Sequence, residues 1–263
     1  MIHVTRSPEA PASLAVESKK KSGSYREPDV VARLVEDFHC KCYLCETAPV
    51  TDCEVEHLVP KQGGNRPEVK FDWNNLFFSC RHCNSVKNQN KYDGLILDCC
   101  REEPEAQLKH TLVTASTDGA AKASTGGGTD SGTSKSGTGG GKKTTGGRAV
   151  RQTVVKVVPA KRSPTEEAKR TAELITECFE LRNTGIRVNA CDVRFRMLSE
   201  TMDLLYQTLE KYLKAKREGK PVTRTVRTLA GLLDRSAPFA GFTRTYVRQN
   251  IKSYPDLAEY VKL

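Results

Sequence analysis

The residues from Cys42 to Asn88 read CYLCETAPVTDCEVEHLVPKQGGNRPEVKFDWNNLFFSCRHCNSVKN, and they decide how the chain folds. The stretch begins and nearly ends with a C-x-x-C pair, Cys42/Cys45 and Cys80/Cys83. Each pair brings two thiolates to one ion, and four thiolates suit one tetrahedral Zn²⁺. The spacing therefore predicts a structural zinc site. Neighbouring residues that offer alternative zinc ligands are His39, Cys40, Cys53 and His82.

Polar residues between and after the two pairs indicate a second, different site. Glu56 and His57 are adjacent, Asn74 and Asn75 precede the second pair, and Asn84 follows it directly. A zinc ribbon with no enzyme in it is the alternative, but a ribbon gives no reason for these polar residues. Residues 53–59 alternate in the manner of a strand, which places Glu56 and His57 on opposite faces.

The order of these elements resembles the C-x-x-C type of HNH endonuclease, which has a ββα-metal fold. The elements are Cys42-x-x-Cys45, Glu56-His57, Asn75-Leu76, Cys80-x-x-Cys83-Asn84 and Lys87. The third position of the motif is Asn84 rather than histidine, a variation that the family contains. The resemblance covers about a third of the chain and implies an enzyme that hydrolyses phosphodiester bonds.

The resemblance also implies a role for each polar residue. His57 is the expected general base, because a neutral imidazole accepts a proton from water. Asn75 is expected to orient it. Glu56 and Asn84 are the expected ligands of a catalytic Mg²⁺ or Mn²⁺, since oxygen donors suit these ions, and Asn88 is either a third ligand or a residue that only caps the site. The role of Glu56 requires a bend that brings it to the same side as His57.

The charge of the chain favours a polyanionic partner. Its 263 residues carry a formal net charge of +10, and the sequence pI is about 9.1. This balance indicates DNA binding, with solubility as the plainer explanation. The residues expected to contact DNA at the site are Lys61, Arg81 and Lys87.

The resemblance implies an α+β protein with an HNH core and a structural zinc, and the pattern of the later residues predicts a C-terminal helical domain. A flexible tail is expected over 1–27, the nuclease domain over 28–113, a flexible Gly/Ser/Thr-rich linker over 114–149 and the helical domain over 150–263. Apolar residues at helical spacing predict a helix from Pro28. A longer one is indicated by Phe195, Leu198, Met202, Leu205, Leu209 and Tyr212.

A second resemblance concerns biological role. The segments CYLCE, EHLVPK, DWNNLFFSCRHCNSVKN and LILD are similar to HNH subunits of Septu-type anti-phage systems, including retron-associated ones. This implies a bacterial defence nuclease that works with an ABC-type ATPase. The ATPase must be a separate chain, because no G-x-x-x-x-G-K-[ST] loop occurs here. The alternatives are a stand-alone restriction-type or homing-type HNH nuclease, and a non-catalytic zinc module that binds DNA or acts as an adaptor.

Two further expectations concern the compartment. No apolar run approaches the roughly 20 residues of a membrane span, so no membrane association is expected. The first residues lack the apolar segment of a secretory signal. The ten cysteines, with their metal-like spacing, then indicate reduced thiols and a cytoplasmic location.

Overall fold

The computed structural model describes residues 1–61, 66–88, 92, 94–116, 151–180 and 185–263. The chain is a mixture of helices and two small two-stranded sheets. The strands are β1 (Cys53–His57), β2 (Leu76–Cys80), β3 (Leu108–Ser116) and β4 (Arg151–Pro159). The α-helices are α1 (Ala12–Glu17), α2 (Pro28–Asp37), α3 (Arg81–Lys87), α4 (Pro104–Gln107), α5 (Glu166–Glu180), α6 (Gly185–Arg217), α7 (Thr223–Leu233) and α8 (Ala240–Gln249). Short 3₁₀ helices span Pro67–Val69, Trp73–Asn75, Ile251–Ser253 and Pro255–Val261.

The first sheet and helix α3 form the unit that carries the predicted site. Strands β1 and β2 are antiparallel, with Cys53 opposite Cys80 and His57 opposite Leu76. Helix α3 begins directly after β2, and the Sγ atom of Cys80 caps it by accepting from the amide of Cys83 at 3.4 Å. Helix α3 packs against both strands. Strand, strand and helix therefore meet in one small unit.

Helix α2 confirms the prediction of a helix from Pro28. Proline is favoured in the first turn, because its missing N–H would have no partner there. The apolar side chains of Val30, Leu34 and Phe38 are buried, and α2 contacts β2. The ring of Phe38 lies 5.7 Å from that of Phe77, which joins the helix to the sheet.

The first residues differ from the flexible tail that the sequence predicts for 1–27. Ile2 and Val4 are buried, and the amide of Val4 donates to the carbonyl of Cys99 at 2.9 Å. The guanidinium of Arg6 donates to two backbone carbonyls before and within β2 and lies 4.7 Å from the Trp73 ring. The partners of Arg6 lie 67 or more residues away along the chain, so no local sequence pattern predicts these contacts.

The C-terminal helices pack on one another and on α3. Helix α5 contacts α3 and α6, while α6 also contacts α7 and α8. The long helix predicted from the apolar residues between Phe195 and Tyr212 is confirmed within α6. The rings of Phe179 and Phe242 lie 5.7 Å apart in the buried interior.

The chain divides into two compact units. One comprises Met1–Thr111 with Val155–Leu263, and the other comprises Leu112–Val154. The predicted boundary between a nuclease domain and a helical domain stays a prediction. Of the predicted linker 114–149, residues 114–116 belong to β3, and the rest lies outside the described residues.

The described helices include none with the length and hydrophobicity of a membrane-crossing segment.

Candidate metal centre and candidate active site

The four predicted cysteines converge at one point. The Sγ atoms of Cys42, Cys45, Cys80 and Cys83 all lie within 4.8 Å of one another, and all four side chains are buried. The sulfurs of Cys45 and Cys80 are 4.0 Å apart. Zinc–sulfur bonds of about 2.3 Å in a tetrahedron place the sulfurs roughly 3.8 Å apart. The tetrad therefore suits one Zn²⁺ after only a small shortening of the sulfur–sulfur distances.

Local structure explains why the two pairs meet. Cys42 and Cys45 lie on a tight turn between α2 and β1, closed by the amide of Glu46 donating to the carbonyl of Cys42 at 2.9 Å. The amide of Tyr43 donates to the carbonyl of Phe78 at 3.1 Å, which ties this turn to β2. Cys80 ends β2 and Cys83 lies in the first turn of α3. The sheet therefore holds both turns against each other.

The alternative zinc ligands lie outside the tetrad. His39 and Cys53 are exposed. The Cys40 thiol faces the carbonyl of Val50 at 3.8 Å. The Nε2 atom of His82 donates to the carbonyl of Cys178 at 2.9 Å. The four C-x-x-C cysteines are thus the ligand set that the geometry favours.

Arg194 is a charged neighbour of the tetrad that the sequence did not reveal. Its Nη2 atom donates to the Sγ atom of Cys80 at 2.8 Å, and its Nη1 atom donates to the carbonyl of Ala190 at 2.8 Å. If the tetrad binds Zn²⁺, four thiolates would give the site a net charge of −2, and the buried guanidinium would compensate part of it. The two residues are 114 positions apart, and only the packing of α6 brings them together.

His57 lies at the end of β1 and is 7% exposed. Its Nε2 atom is 3.0 Å from the carbonyl oxygen of Lys70. A carbonyl only accepts, so Nε2 carries the proton and Nδ1 keeps the lone pair. The ring of Tyr25 packs edge-on at 4.6 Å between centroids. Burial lowers the pKa of His57 to about 4, so the imidazole is neutral at pH 7.

Asn75 fixes the loop that holds His57. Its Oδ1 atom accepts from the amide of Val59 at 2.7 Å, and its Nδ2 atom donates to the carbonyls of Val59 at 3.0 Å and Val69 at 3.1 Å. Val69 precedes Lys70, whose carbonyl accepts from His57. This arrangement suits the predicted orienting role of Asn75, acting through Lys70.

Glu56 and Lys87 form a buried ion pair, which differs from both of their predicted roles. The Nζ atom of Lys87 lies 2.6 Å from Oε1 of Glu56, and the hydroxyl of Tyr43 donates to Oε2 at 2.8 Å. Lys87 also donates to the carbonyl of His57 at 2.9 Å. Burial raises the pKa of Glu56, and Lys87 opposes that shift. Both carboxylate oxygens are engaged and Lys87 is enclosed, so this conformation suits neither metal ligation nor contact with phosphate.

The remaining predicted residues lie at or near the surface. Asn84 is half-buried and Asn88 is exposed one turn later, with 3.5 Å between its Nδ2 atom and Oδ1 of Asn84. Arg81 is exposed at the start of α3. Lys61 donates to the Tyr25 hydroxyl at 2.8 Å. Among the described residues, the cysteine tetrad is the one group of three or more His, Cys, Asp or Glu side chains close enough to share an ion. A Mg²⁺ or Mn²⁺ site therefore stays a prediction.

Sequence reasoning missed the N-terminal contribution to the His57 region. Tyr25 packs on His57, and the Nζ atom of Lys70 donates to the carbonyl of Gly23 at 2.8 Å. Arg26 pairs with Glu54 at 3.1 Å. These residues come from a segment with tail-like composition, in which no motif marks Tyr25 as part of a site.

Comparison with known proteins gives one partial likeness. The chain is 32% identical over 98 residues to "Septu protein PtuB" of Bacillus thuringiensis. The match covers 33% of this chain and 37% of that protein, so little more than a third of the relative's length is represented. No family model matches the chain, and no solved structure matches it. The chain thus has a distant similarity to a Septu protein over a third of its length.

Proposed function

We propose that this protein is an HNH-type endonuclease that hydrolyses phosphodiester bonds in DNA, with His57 as the general base. The observation that carries the proposal is the state of His57. The imidazole is neutral, and one of its nitrogens is fixed on the carbonyl of Lys70, so the other is left to accept a proton. The imidazole ring of His57 lies at the end of β1, in the sheet of β1 and β2. The cysteine tetrad joins that sheet to α3, because it includes Cys80 of β2 and Cys83 of α3.

The chain's own residues supply most of what the first step needs. A water that attacks phosphorus loses its proton to Nδ1 of His57 while the P–O bond to the leaving oxygen breaks, and the leaving oxygen takes a proton from solvent water. The Lys70 carbonyl stabilises the imidazolium that forms. Asn75 keeps that carbonyl in place through Val69. Cations near the ring, Lys61 and Arg26 among them, attract the phosphate. A divalent ion would neutralise charge on the scissile phosphate; Asn84 offers it an amide oxygen, whereas Glu56 does not fit as a ligand in this conformation.

Plasmid cleavage with two matched histidine variants tests the proposal. His57→Asn removes the base, and we expect the rate with Mg²⁺ or Mn²⁺ to fall by ~10²–10⁴, the usual worth of general-base catalysis. His39→Asn is the control, because His39 is exposed and its φ of 53° suits asparagine. A wild-type rate in His57→Asn would overturn the assignment of the base.

We also propose that the nuclease serves anti-phage defence and works with a separate ABC-type ATPase. The partial identity with a Septu protein supports this role. Co-purification from the native host, followed by cleavage assays with and without the ATPase and ATP, tests it. Full, unregulated cleavage by the isolated chain, with no ATPase bound, would instead favour a stand-alone restriction-type or homing-type nuclease.

One observation favours a second candidate function, a zinc-supported DNA-binding or adaptor module without catalysis. Both oxygens of Glu56 are engaged by Tyr43 and Lys87, as expected of a structural residue. This candidate predicts DNA binding with no cleavage in any divalent metal, with or without the ATPase. Metal-dependent cleavage that disappears in His57→Asn excludes it.

A further inference from the structure

Positive charge is concentrated where α6 ends and α7 begins. From Lys211 to Arg227 the chain carries seven lysines and arginines and a single acid, Glu218. These 17 residues therefore supply +6 of the net charge of +10. Five of the cations form what we call the α6–α7 basic patch, namely Lys211, Lys214, Arg217, Arg224 and Arg227.

The patch is exposed and its charges are not compensated. All five side chains are exposed, and in the described part of the chain none of them has an ion-pair partner. The two other cations of the segment are paired, Lys216 with Asp256 and Lys220 with Glu218, both at 2.8 Å. Lys211, Lys214 and Arg217 are i, i+3 neighbours on α6 and repel one another at this spacing, so their arrangement is unfavourable until an anion binds to it.

Helix electrostatics explains part of the patch and leaves the rest unexplained. Lysine and arginine in the last turn of α6 interact favourably with the negative end of the helix dipole. Arg224 and Arg227 lie in the first turns of α7, at the positive end of its dipole, and no acidic residue occurs in that first turn. Cations there are destabilising. Their position therefore points to a ligand that offsets the cost.

The spacing of the patch suits a row of phosphates. Lys211, Lys214 and Arg217 recur every three residues on the side of α6 away from the buried Leu209 and Tyr212. They span about 9 Å of helix axis, at 1.5 Å per residue. Each strand of duplex DNA presents one phosphate per roughly 3.4 Å of its own axis, so two to three phosphates of one strand lie within that length.

A nucleic acid fits the patch better than an acidic protein does. Protein interfaces place aromatic and aliphatic anchors at their centre. The large apolar side chains that are exposed in the described structure are Val16, Val193, Leu204, Tyr206, Tyr260 and Leu263. None of them lies between residues 211 and 227, so the patch offers charge without an apolar anchor.

We infer that the α6–α7 basic patch is a second nucleic-acid-binding surface, which binds the phosphate backbone independently of base sequence. The inference rests on the proposed function in one respect, since a polynucleotide substrate is long enough to contact the patch and the His57 region at the same time. The patch supplies affinity, and the His57 region supplies the chemistry.

Binding measurements on the full chain in the His57→Asn background test the patch without cleavage. The variant is Lys214→Gln/Arg217→Gln/Arg224→Gln. The matched control is Lys161→Gln/Arg162→Gln/Lys252→Gln, which removes the same charge from exposed side chains outside the patch. Fluorescence anisotropy with a labelled duplex DNA, and with a duplex RNA of the same sequence, gives affinity over a range of salt concentrations. Equal melting temperatures check that both proteins fold.

The patch variant is expected to bind at least tenfold more weakly than the control. Its slope of log K against log salt should be smaller in magnitude by about 2 to 3, because each lost phosphate contact reduces the magnitude of that slope by about 0.9.

Equal losses of affinity in the variant and the control would show a general effect of net charge and would overturn the inference. Unchanged binding would also overturn it. A variant that binds DNA normally but no longer retains a protein partner would assign the patch to that partner. Wild-type protein that binds DNA through the patch but never cleaves it would refute the nuclease and leave the patch standing.

Discussion

The cysteine tetrad and the His57 region share β1, β2 and α3, yet their predicted ligands behave differently. All four predicted sulfurs converge within 4.8 Å. Around His57, the predicted acidic ligand Glu56 is paired with Lys87 and Tyr43 instead. A C-x-x-C turn fixes its two sulfurs through local backbone geometry. A site assembled from a strand end, a loop and a helix depends on which partners the surrounding fold places beside each side chain.

Removing one member of the tetrad should have the largest effect in the molecule. We expect Cys45→Ala to lose the bound zinc and to unfold the region around β1, β2 and α3, because structural zinc contributes ~10–16 kcal/mol to folding in small zinc domains. Cys99→Ala is the control, since Cys99 is equally buried but lies outside the tetrad. Metal analysis and circular dichroism measure both. Wild-type protein that folds without zinc would show that the cysteine tetrad is not a structural metal centre.

Breaking the Glu56–Lys87 pair should have the next largest effect. Lys87→Met leaves a carboxylate buried without its cation, so we expect a loss of ~3–5 kcal/mol in the free energy of unfolding. Lys252→Met, at an exposed site, should change stability by less than about 0.5 kcal/mol. Urea denaturation measures both. If Lys87→Met keeps its stability and loses affinity for DNA, the predicted contact of Lys87 with phosphate is correct and the buried pair is not.

The pH dependence of cleavage should show a smaller effect that separates a buried base from an ordinary histidine. With a pKa of about 4, His57 stays unprotonated at pH 5, so kcat/KM should change less than twofold between pH 7 and pH 5. A histidine with a pKa of about 6.5 would lose about 25-fold over that range. Because the folded pKa lies below the unfolded one, His57 also costs stability as pH falls from about 6.5 towards 4.

Measurements of kcat/KM for cleavage from pH 5 to pH 8 test this expectation, with Tyr25→Ala as the comparison. Opening the ring of His57 to water should return its acidic limb towards pH 6.5. A wild-type limb centred near pH 6.5 would show that the ring is open in solution.

Much of the fold is visible in the sequence where the signal is local. Proline at the start of α2, with Val30 and Leu34 one turn apart, predicts that helix and its buried face. The apolar repeat in α6 is long enough to be unambiguous. Helix α8 was missed, because its buried residues include Thr243, Arg244 and Thr245, which give no apolar stripe. The burial of Ile2 and Val4 was missed as well, since isolated apolar residues in a polar segment carry no period.

The sequence by itself determined which four cysteines converge and the order of the elements around them, because a C-x-x-C turn and a strand followed at once by a helix are set by neighbouring residues. Tertiary structure alone decided that Arg194 faces the sulfurs, that Tyr25 covers His57 and that Lys87 neutralises Glu56. These contacts join residues 31 to 114 positions apart. Such partners are selected by burial, since a charged or polar group removed from water needs a complement wherever the fold brings one.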